Sequence, residues 1–305
     1  NQVVGNGGQV DAHMSGSIVT QGKNSHGLLV QSIGGGGGYV VTDAAANQVS
    51  THLGGINGSR GNAGQVKIDN KGDIITSGDG SYGILAQSIG GGGGIAADTS
   101  VLVLQKVTKN IATTNGLNVQ TEGNGGNVQI NHVGNIVVKG QNAHAIVAQS
   151  IANGGGIAQQ GIGNVLGSKK KSQAGNIDIN IGNNSKVAAL GKNGIGIFAQ
   201  LAASDSVNGN NMGHIKINLQ NTDLQAEDTG IDMLGGNASN AVNLKASHIQ
   251  AGQFGIVQEG VVKKQQVNIA QSSSVLGGNT AIKLAAVDEA QVSVDSSLVK
   301  GGKIG

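Results

Sequence analysis

Three stretches of this 305-residue chain repeat one another closely enough to determine its architecture. The first, residues 5–38, reads GNGGQVDAHMSGSIVTQGKNSHGLLVQSIGGGGG, and related copies occupy residues 61–94 and 123–156. A fourth copy begins at Ala174, and shorter, more diverged copies follow it. Repeats of this kind are typical of folds in which one small unit stacks on the next.

Each copy contains three short apolar segments that are separated by Gly, Asn, Asp or Ser. Within a segment apolar and polar residues alternate, as Ile177, Ile179 and Ile181 do with Asp178 and Asn180. Alternation with a period of two predicts a strand, and Gly and Asn accept the positive φ that tight turns require. Three strands per copy predict one coil of an all-β, parallel β-helix (β-solenoid).

The first apolar segment of each copy predicts the length of a coil. We place the segment starts at Val10, Val66, Val128, Ile177, Ile215, Val242, Val267 and Val292. The last three spacings are 27, 25 and 25. We therefore expect a coil of about 25 residues, which is within the range of known solenoid repeats. The longer spacings nearer the N-terminus then contain insertions.

The second and third segments predict two further inward columns. The second column is expected to contain Ile18, Ile74, Ile136, Val187, Leu224, Ile249, Val275 and Leu298. The third is expected to contain Ile84, Ile146, Ile197, Ile231, Ile256 and Ile282. Stacked β-branched side chains can fill a narrow interior without aromatic residues.

The insertions follow the third segment of a copy, so they are expected to leave the coil at one corner. They occupy residues 39–60, 95–122 and 157–172, and only a short remnant is left at 204–210. We therefore predict a single solenoid domain over residues 1–305. Coils with long Gly-rich insertions make up residues 1–202, and compact coils make up residues 203–305.

Composition excludes several classes of protein. The chain has 55 Gly, no Pro, Cys or Trp, and only four aromatic residues. Four aromatics cannot fill the core of a globular enzyme of this length, the lack of Pro excludes collagen, and the lack of Cys excludes disulfides and thiolate metal sites. The net charge of +2 argues against nucleic acid as a partner, and no apolar run is long enough for a transmembrane helix.

The most regular part of the repeat resembles a known family. GLLVQSIGGGGG at 27–38, GILAQSIGGGGG at 83–94 and AIVAQSIANGGG at 145–156 resemble the GI-x-AQSIGGGGG repeats of large bacterial autotransporter passengers. The resemblance covers residues 1–202 well and the remainder only by strand pattern. It implies a right-handed β-helix that is exported through the outer membrane and lies outside, or on the surface of, a Gram-negative cell.

The glycine runs and the lysine run do not predict a ligand. Gly34–Gly38 and Gly90–Gly94 lack the Lys-Ser/Thr of a phosphate-binding loop, so we interpret them as flexible exits into the insertions. Lys169–Lys171 lie in the third insertion and are expected to be solvated.

Carboxylates are too sparse to predict a catalytic site. A glycosidase needs two carboxylates a few ångströms apart, for which Asp69 with a neighbouring column, or Asp228 with Asp232, are the candidates. The outward column on the first strand, however, is expected to contain mainly amides, as Asp69, Asn131, Asn180, Asn218 and Lys245. We assign no catalytic residue.

Two further columns are expected along the stack. Gln31, Gln87, Gln149 and Gln200 share one outward position, and we expect their amides to bond one another rather than a partner. His26, Tyr82 and His144 share another. The two histidines should lie two coils apart, about 10 Å, which is too far for one metal site. No metal, cofactor or binding residue is assigned.

The sequence thus favours an extracellular structural or adhesive role. We expect the passenger or stalk of a secreted or surface-displayed protein that mediates attachment, self-association or fibre formation, with other copies or surface glycans or proteins as partners. Insertions 39–60 and 95–122 are expected to make specific contacts, and open strand edges at 292–304 to favour self-association. A secreted polysaccharide-active enzyme and a stalk presenting another domain are the alternatives.

Overall fold

The computed structural model describes residues 5–42, 59–98, 121–158, 161–164, 172–203, 213–236, 239–260, 262–285 and 287–303. Over these residues the chain forms 25 strands, numbered β1 to β25, and no helix. Strands of successive coils pair in parallel on three faces, which confirms the predicted β-helix. In this part of the chain there is therefore no helix that could cross a membrane.

The first face of the solenoid contains one strand from each of eight coils. These are β1 (Val10–Met14), β5 (Val66–Asn70), the start of β9 (Val128–Val138), the start of β13 (Ile177–Ala189), β15 (Ile215–Gln220), β18 (Asn240–Lys245), β21 (Val262–Ala270) and β24 (Val287–Val294). Side chains alternate inward and outward along each strand. In β5, for example, Val66 and Ile68 are fully buried and Lys67 and Asp69 are partly exposed.

The second face is continuous with the first, because β9 and β13 turn the corner without a break. Its strands are β2 (Ile18–Thr20), β6 (Ile74–Thr76), the ends of β9 and β13, β16 (Thr222–Ala226), β19 (His248–Ala251), β22 (Ser274–Gly277) and β25 (Leu298–Gly301). Together the two faces make one sheet of 14 strands.

The third face is a separate sheet of seven parallel strands. They are β3 (Leu28–Ile33), β7 (Ile84–Ile89), β10 (Ile146–Ile151), β14 (Ile195–Ala202), β17 (Thr229–Leu234), β20 (Phe254–Glu259) and β23 (Thr280–Leu284). The predicted column from Ile84 to Ile282 is confirmed, since each member pairs with the next. Aliphatic side chains from all three faces form one core.

The register corrects the predicted columns in the compact coils. Val242 pairs with Ile217 rather than Ile215. The first column, which includes Ile215, therefore continues through Asn240 and Gln265. Equivalent positions on the first face are 25 residues apart from β15 onward. The predicted starts at Val242, Val267 and Val292 are therefore each two residues late. The error arose because a buried polar residue, Asn240, begins β18 and interrupts the aliphatic pattern that the alignment followed.

The second column is also wrong at its last member. Val299, not Leu298, pairs with Val275, and Leu298 lies beside Ser274 with about half of its surface exposed. Leu298 and Val299 are both apolar and adjacent, so the sequence alone does not show which of them occupies the column.

A fourth sheet, which the sequence did not predict, covers part of the third face. It consists of β4 (Gly37–Thr42), β8 (Gly93–Asp98) and β11 (Gly155–Ala158) in parallel, with β12 (Gly161–Asn164) antiparallel to β11. We call it the outer sheet. Its first three strands contain the first residues of the three long insertions, which therefore leave the solenoid at the same corner and stack outside it over these described residues.

Candidate binding face

The outward side of the first face carries a column of amides that bond one another from coil to coil. The column consists of Asp69, Asn131, Asn180, Asn218, Asn243 and Asn268. At each of the five steps a side-chain N–H donates to the side-chain oxygen of the preceding coil, over 2.6–2.9 Å. We call this column the asparagine ladder.

Lys245 was predicted to belong to this column, and that prediction is wrong. Asn243 occupies the position, and Lys245 lies two residues further along β18, opposite Gln220. The signal was present in the sequence, because Asn218, Asn243 and Asn268 recur at intervals of 25 residues. The misplaced start at Val242 concealed it.

The asparagine ladder leaves hydrogen-bonding groups free for a ligand. An amide has two N–H donors and an oxygen with two lone pairs, and each inner member uses one N–H and one lone pair within the ladder. The members are partly exposed. The face therefore offers solvent a donor and an acceptor on each of the five strands that carry an asparagine, about 4.8 Å apart.

The ladder ends at Asp69, beside the one group of possible metal ligands among the described residues. His13 lies 3.2 Å from Asp11 and 3.4 Å from Asp69, and Lys67 Nζ lies 2.8 Å from Asp69. The Lys67 ammonium already neutralises Asp69, and Asp11 and His13 are exposed. Sequence reasoning missed this group because Asp11 and His13 were not aligned with Asp69.

The same contacts decide against acid catalysis at Asp69. Hydrogen bonds from Asn131 and Lys67 lower the pKa of the Asp69 carboxyl. A glycosidase needs one carboxyl whose pKa is raised so that it holds a proton. Asp69 is shifted in the opposite direction, and its neighbour Asp11 is exposed.

The two carboxylates of the second predicted pair, Asp228 and Asp232, lie in different surroundings. Asp228 precedes β17 and accepts a hydrogen bond from the Thr229 hydroxyl at 3.0 Å. Asp232 is buried within β17, in register with Phe198 and Val257. The two do not form an open, solvent-facing site.

The predicted glutamine column forms a second ladder. Gln31 donates to Gln87, Gln87 to Gln149 and Gln149 to Gln200, over 2.6–2.7 Å, so the expected mutual bonding is confirmed. The last three members are buried. The column lies on the outward side of the third face as expected, but the burial of these three members keeps them from contact with a partner in this conformation.

The aromatic column is confirmed as a stack of rings. The His26 and Tyr82 ring centroids are 4.8 Å apart and nearly parallel, and those of Tyr82 and His144 are 5.5 Å apart. Tyr82 belongs to a small apolar cluster, separate from the core, that includes Ile95 of β8 and Ile157 of β11. We call the three rings the aromatic stack; it lies between the third face and the outer sheet.

Both histidines of the aromatic stack act as hydrogen-bond acceptors. His26 Nδ1 accepts from the Tyr82 backbone N–H, and His144 Nδ1 from that of Ile195, each at 3.1 Å. Burial lowers the pKa of His26 to about 4 and that of His144 to about 3. The two rings are therefore neutral at pH 7.

The repeated Ala-Gln-Ser-Ile sequence has a structural explanation. In the second coil Ala86 packs in the core and Gln87 joins the glutamine ladder. The Ser88 hydroxyl donates to the carbonyl of Gly64 in its own coil and accepts from the N–H of Gly126 in the next. Ser88 thus joins the third face to the first face of two coils, and the motif needs no ligand to account for it.

The glycine runs are stacked strands rather than simple flexible exits. Gly37, Gly93 and Gly155 lie in register in the outer sheet, all with positive φ. A Cβ on Gly37 would overlap the carbonyl oxygen of Gly93, and a Cβ on Gly93 that of Gly155. Only glycine allows this backbone and this close approach.

The first two insertions return to the solenoid side by side. Arg60 and Glu122 pair as an isolated parallel bridge, with their side chains 3.5 Å apart. Lys169–Lys171, residues 204–210 and most of the two longer insertions lie outside the described residues, so their predicted roles stay predictions.

No known protein indicates what this chain does. The chain matches no protein-family model, no curated protein and no solved structure. The resemblance to autotransporter passengers therefore stays an expectation from the repeat motif alone.

Proposed function

We propose that this chain is a structural and adhesive β-solenoid, the passenger or stalk of a protein that a Gram-negative bacterium secretes or displays. In this proposal it mediates attachment to surface glycans, with self-association as the alternative mode. The observation that supports the proposal is the outward side of the first face, where five asparagines in succession are partly exposed and no other described element lies over them.

The chemistry of that face favours a neutral, hydroxyl-rich polymer. Each free N–H and lone pair is matched by a hydroxyl, which both donates and accepts. The neighbouring outward column contains Asp178 and Lys216 side by side, followed by Ala241 and Gln266, so its charges compensate and do not select an ion. One weak contact per coil, repeated along the rod, gives avidity without a deep pocket.

A binding assay with matched variants tests the proposal. Replacing Asn180, Asn218 and Asn243 by Thr removes three amides and places polar, β-branched residues, which favour strands, at the same positions. Replacing Gln225 and Gln250, which are exposed on the second face, by Thr is the control. On immobilised bacterial and host polysaccharides we expect the first variant to lose at least ten-fold in apparent affinity and the control to lose less than two-fold.

The same assay separates the alternatives. Equal binding by both variants would show that the first face is not the contact surface. Shortening of the polysaccharide, measured as new reducing ends, would favour the enzyme. Concentration-dependent association of the chain with no glycan bound, weakened by the first variant alone, would favour self-association.

A further inference from the structure

We propose that the outer sheet is an acid-released cover: lowering the pH detaches it from the third face over the first three coils while the compact coils stay folded. The device is the aromatic stack, which lies beneath the outer sheet and has no counterpart among the described residues from β15 onward. Opening would expose the glutamine ladder and the apolar residues around Leu85.

The geometry makes the two histidines sensitive to protonation. Each uses Nδ1 to accept a backbone N–H of the next coil, at 3.1 Å. A protonated imidazole has no acceptor, so protonation turns each of these contacts into two donors facing one another. It also places a positive charge in an apolar layer, which is costly unless the charge is paired.

The described surroundings of the stack contain no charge that would stabilise a protonated ring. The titratable side chains that the structure places against it are its own members and Tyr39 of β4, whose ring meets His26 edge-on at 5.7 Å. Burial is the cause of the lowered pKa of both histidines. His26 Nε2 and the Tyr82 hydroxyl also have no hydrogen-bond partner among the described residues, so two buried polar groups of the closed layer are already unsatisfied within that part of the chain.

The contacts of the outer sheet make it the element that opens. Tyr39 of β4, Ile95 of β8 and Ile157 of β11 lie over the third face or the aromatic stack, outside the main core. Detaching these strands gives both rings access to water without breaking the core. A third buried histidine, His132, is hydrogen-bonded to Asn70 at 2.9 Å on the first face and attracted by Asp73; it responds only if the solenoid itself unfolds.

The sign and steepness follow from proton linkage. In the open state the two imidazoles titrate near their ordinary pKa of about 6.5, and in the closed state near 4 and 3. The open state therefore binds more protons, and closure weakens as the pH falls from about 6.5 toward 4. With two histidines, the ratio of open to closed molecules rises up to about 100-fold for each pH unit in that window.

Hydrogen exchange read by mass spectrometry tests this at the level of single strands. Between pH 7 and pH 4.5, after correction for intrinsic exchange, we expect peptides from Gly37–Thr42, Gly93–Asp98 and Gly155–Ala158 to exchange more than ten-fold faster per pH unit. Peptides from Asn240–Lys245 and His248–Ala251 should change less than two-fold. Tyrosine fluorescence is a second readout, since both tyrosines of this Trp-free chain lie in or against the stack.

Variants assign the response to the two histidines. The double variant His26→Asn/His144→Asn keeps an acceptor oxygen near the Nδ1 position and cannot titrate, so its outer sheet should show no acid response. If it fails to fold, His26→Phe/His144→Phe keeps the rings, as Tyr82 does in the same column. The exposed His248, replaced by Asn, is the control and should respond as the unmodified protein does.

Three outcomes would overturn the proposal. They are an outer sheet whose exchange does not depend on pH, exchange that rises equally in both halves of the chain, and an acid response that persists in both double variants.

Discussion

At the scale of single residues, the buried Tyr82 shows how burial fixes the state of a polar group. Tyr82 is fully buried and its hydroxyl has no partner among the described residues. Burial raises the pKa of that phenol, so the group stays neutral in the folded protein. An unpaired buried hydroxyl typically costs about 1–3 kcal/mol.

Removing that hydroxyl should therefore stabilise the protein. We expect Tyr82→Phe to raise the free energy of unfolding by about 1 kcal/mol or more, because the ring and its stacking remain while the desolvation cost disappears. Urea unfolding followed by far-UV circular dichroism measures this. A loss of stability would show that the hydroxyl has a partner in solution.

Glycine is required in the outer sheet both for its backbone conformation and for the close approach of the strands. A matched pair of variants can separate these two effects. Gly38 and Gly94 pair with each other and have φ of +145° and +133°. A Cβ on Gly94 would overlap the Gly38 carbonyl, whereas a Cβ on Gly38 meets nothing. Both lie in a conformation that costs about 1–3 kcal/mol for other residues.

We expect Gly94→Ala to be more destabilising than Gly38→Ala by about 1–3 kcal/mol, the range for forced overpacking. The two variants share the backbone cost, so the difference measures the close approach of the strands alone. Equal losses, measured by urea unfolding, would contradict close packing of the outer sheet.

At the scale of elements, two amide ladders of similar geometry differ in burial. Asn180 and Gln149 each lie inside a ladder and each make two amide hydrogen bonds. Asn180 is partly exposed, so water can satisfy the amides on either side once it is removed. Gln149 is fully buried, and its removal leaves the side-chain N–H of Gln87 and the side-chain oxygen of Gln200 without their ladder partner.

Truncation should therefore cost unequal amounts of stability. We expect Asn180→Ala to lower the free energy of unfolding by about 1–2 kcal/mol, and Gln149→Ala by about 3–5 kcal/mol, since each unsatisfied buried group adds about 1–3 kcal/mol. Equilibrium denaturation of the two variants side by side gives the comparison. Similar losses would mean that water reaches the glutamine ladder.

Elements also show where sequence could and could not predict the structure. Aliphatic alternation was sufficient to predict the register of the first five coils, because Val66, Val128 and Ile177 occupy equivalent positions on successive strands. It failed in the sixth, where Asn240 is buried at the start of β18 and is held by Ile215 N–H and Gln258. Hydrogen bonds that satisfy a buried amide come from distant residues, so local pattern cannot reveal them.

The outer sheet was beyond prediction for a related reason. Its strands start with stacked glycines, which by sequence alone indicate a turn or a flexible segment. What orders them is the apolar surface of the third face, where Leu85 and Val147 face outward and pack with Ile95 and Ile157. The column of the asparagine ladder, by contrast, was predicted for its first four members, though not the hydrogen bonds between them, and the register error concealed Asn243 and Asn268.

At the scale of the whole molecule, stability is divided among coils that contact mainly their neighbours. Asn240 pairs with Gln265, so one full coil lies between these two equivalent positions. Deleting residues 240–264 would place Asn268 beside Asn218 and Ile282 beside Ile231. The columns and the asparagine ladder would continue in register across the join.

We expect this one-coil deletion to fold, with the same β-sheet signal per residue in circular dichroism and a moderately lower unfolding temperature. Deleting residues 240–251 removes two strands and leaves the third, which destroys the register, and should give a misfolded or aggregated chain. Failure of the first deletion under conditions where the full chain folds would contradict a coil-by-coil solenoid.

The uneven spacing of the coils has a consequence for the order in which the chain folds. Gln31 and Gln87 are separated by 56 residues and Gln87 and Gln149 by 62 residues. Paired asparagines of the fifth, sixth and seventh coils are separated by only 25 residues. Closing a longer loop costs about 0.6 kcal/mol of chain entropy per doubling, and remote contacts form more slowly than near ones. The compact coils should therefore nucleate first, and the insertion-bearing coils should then add to that template one at a time toward the N-terminus.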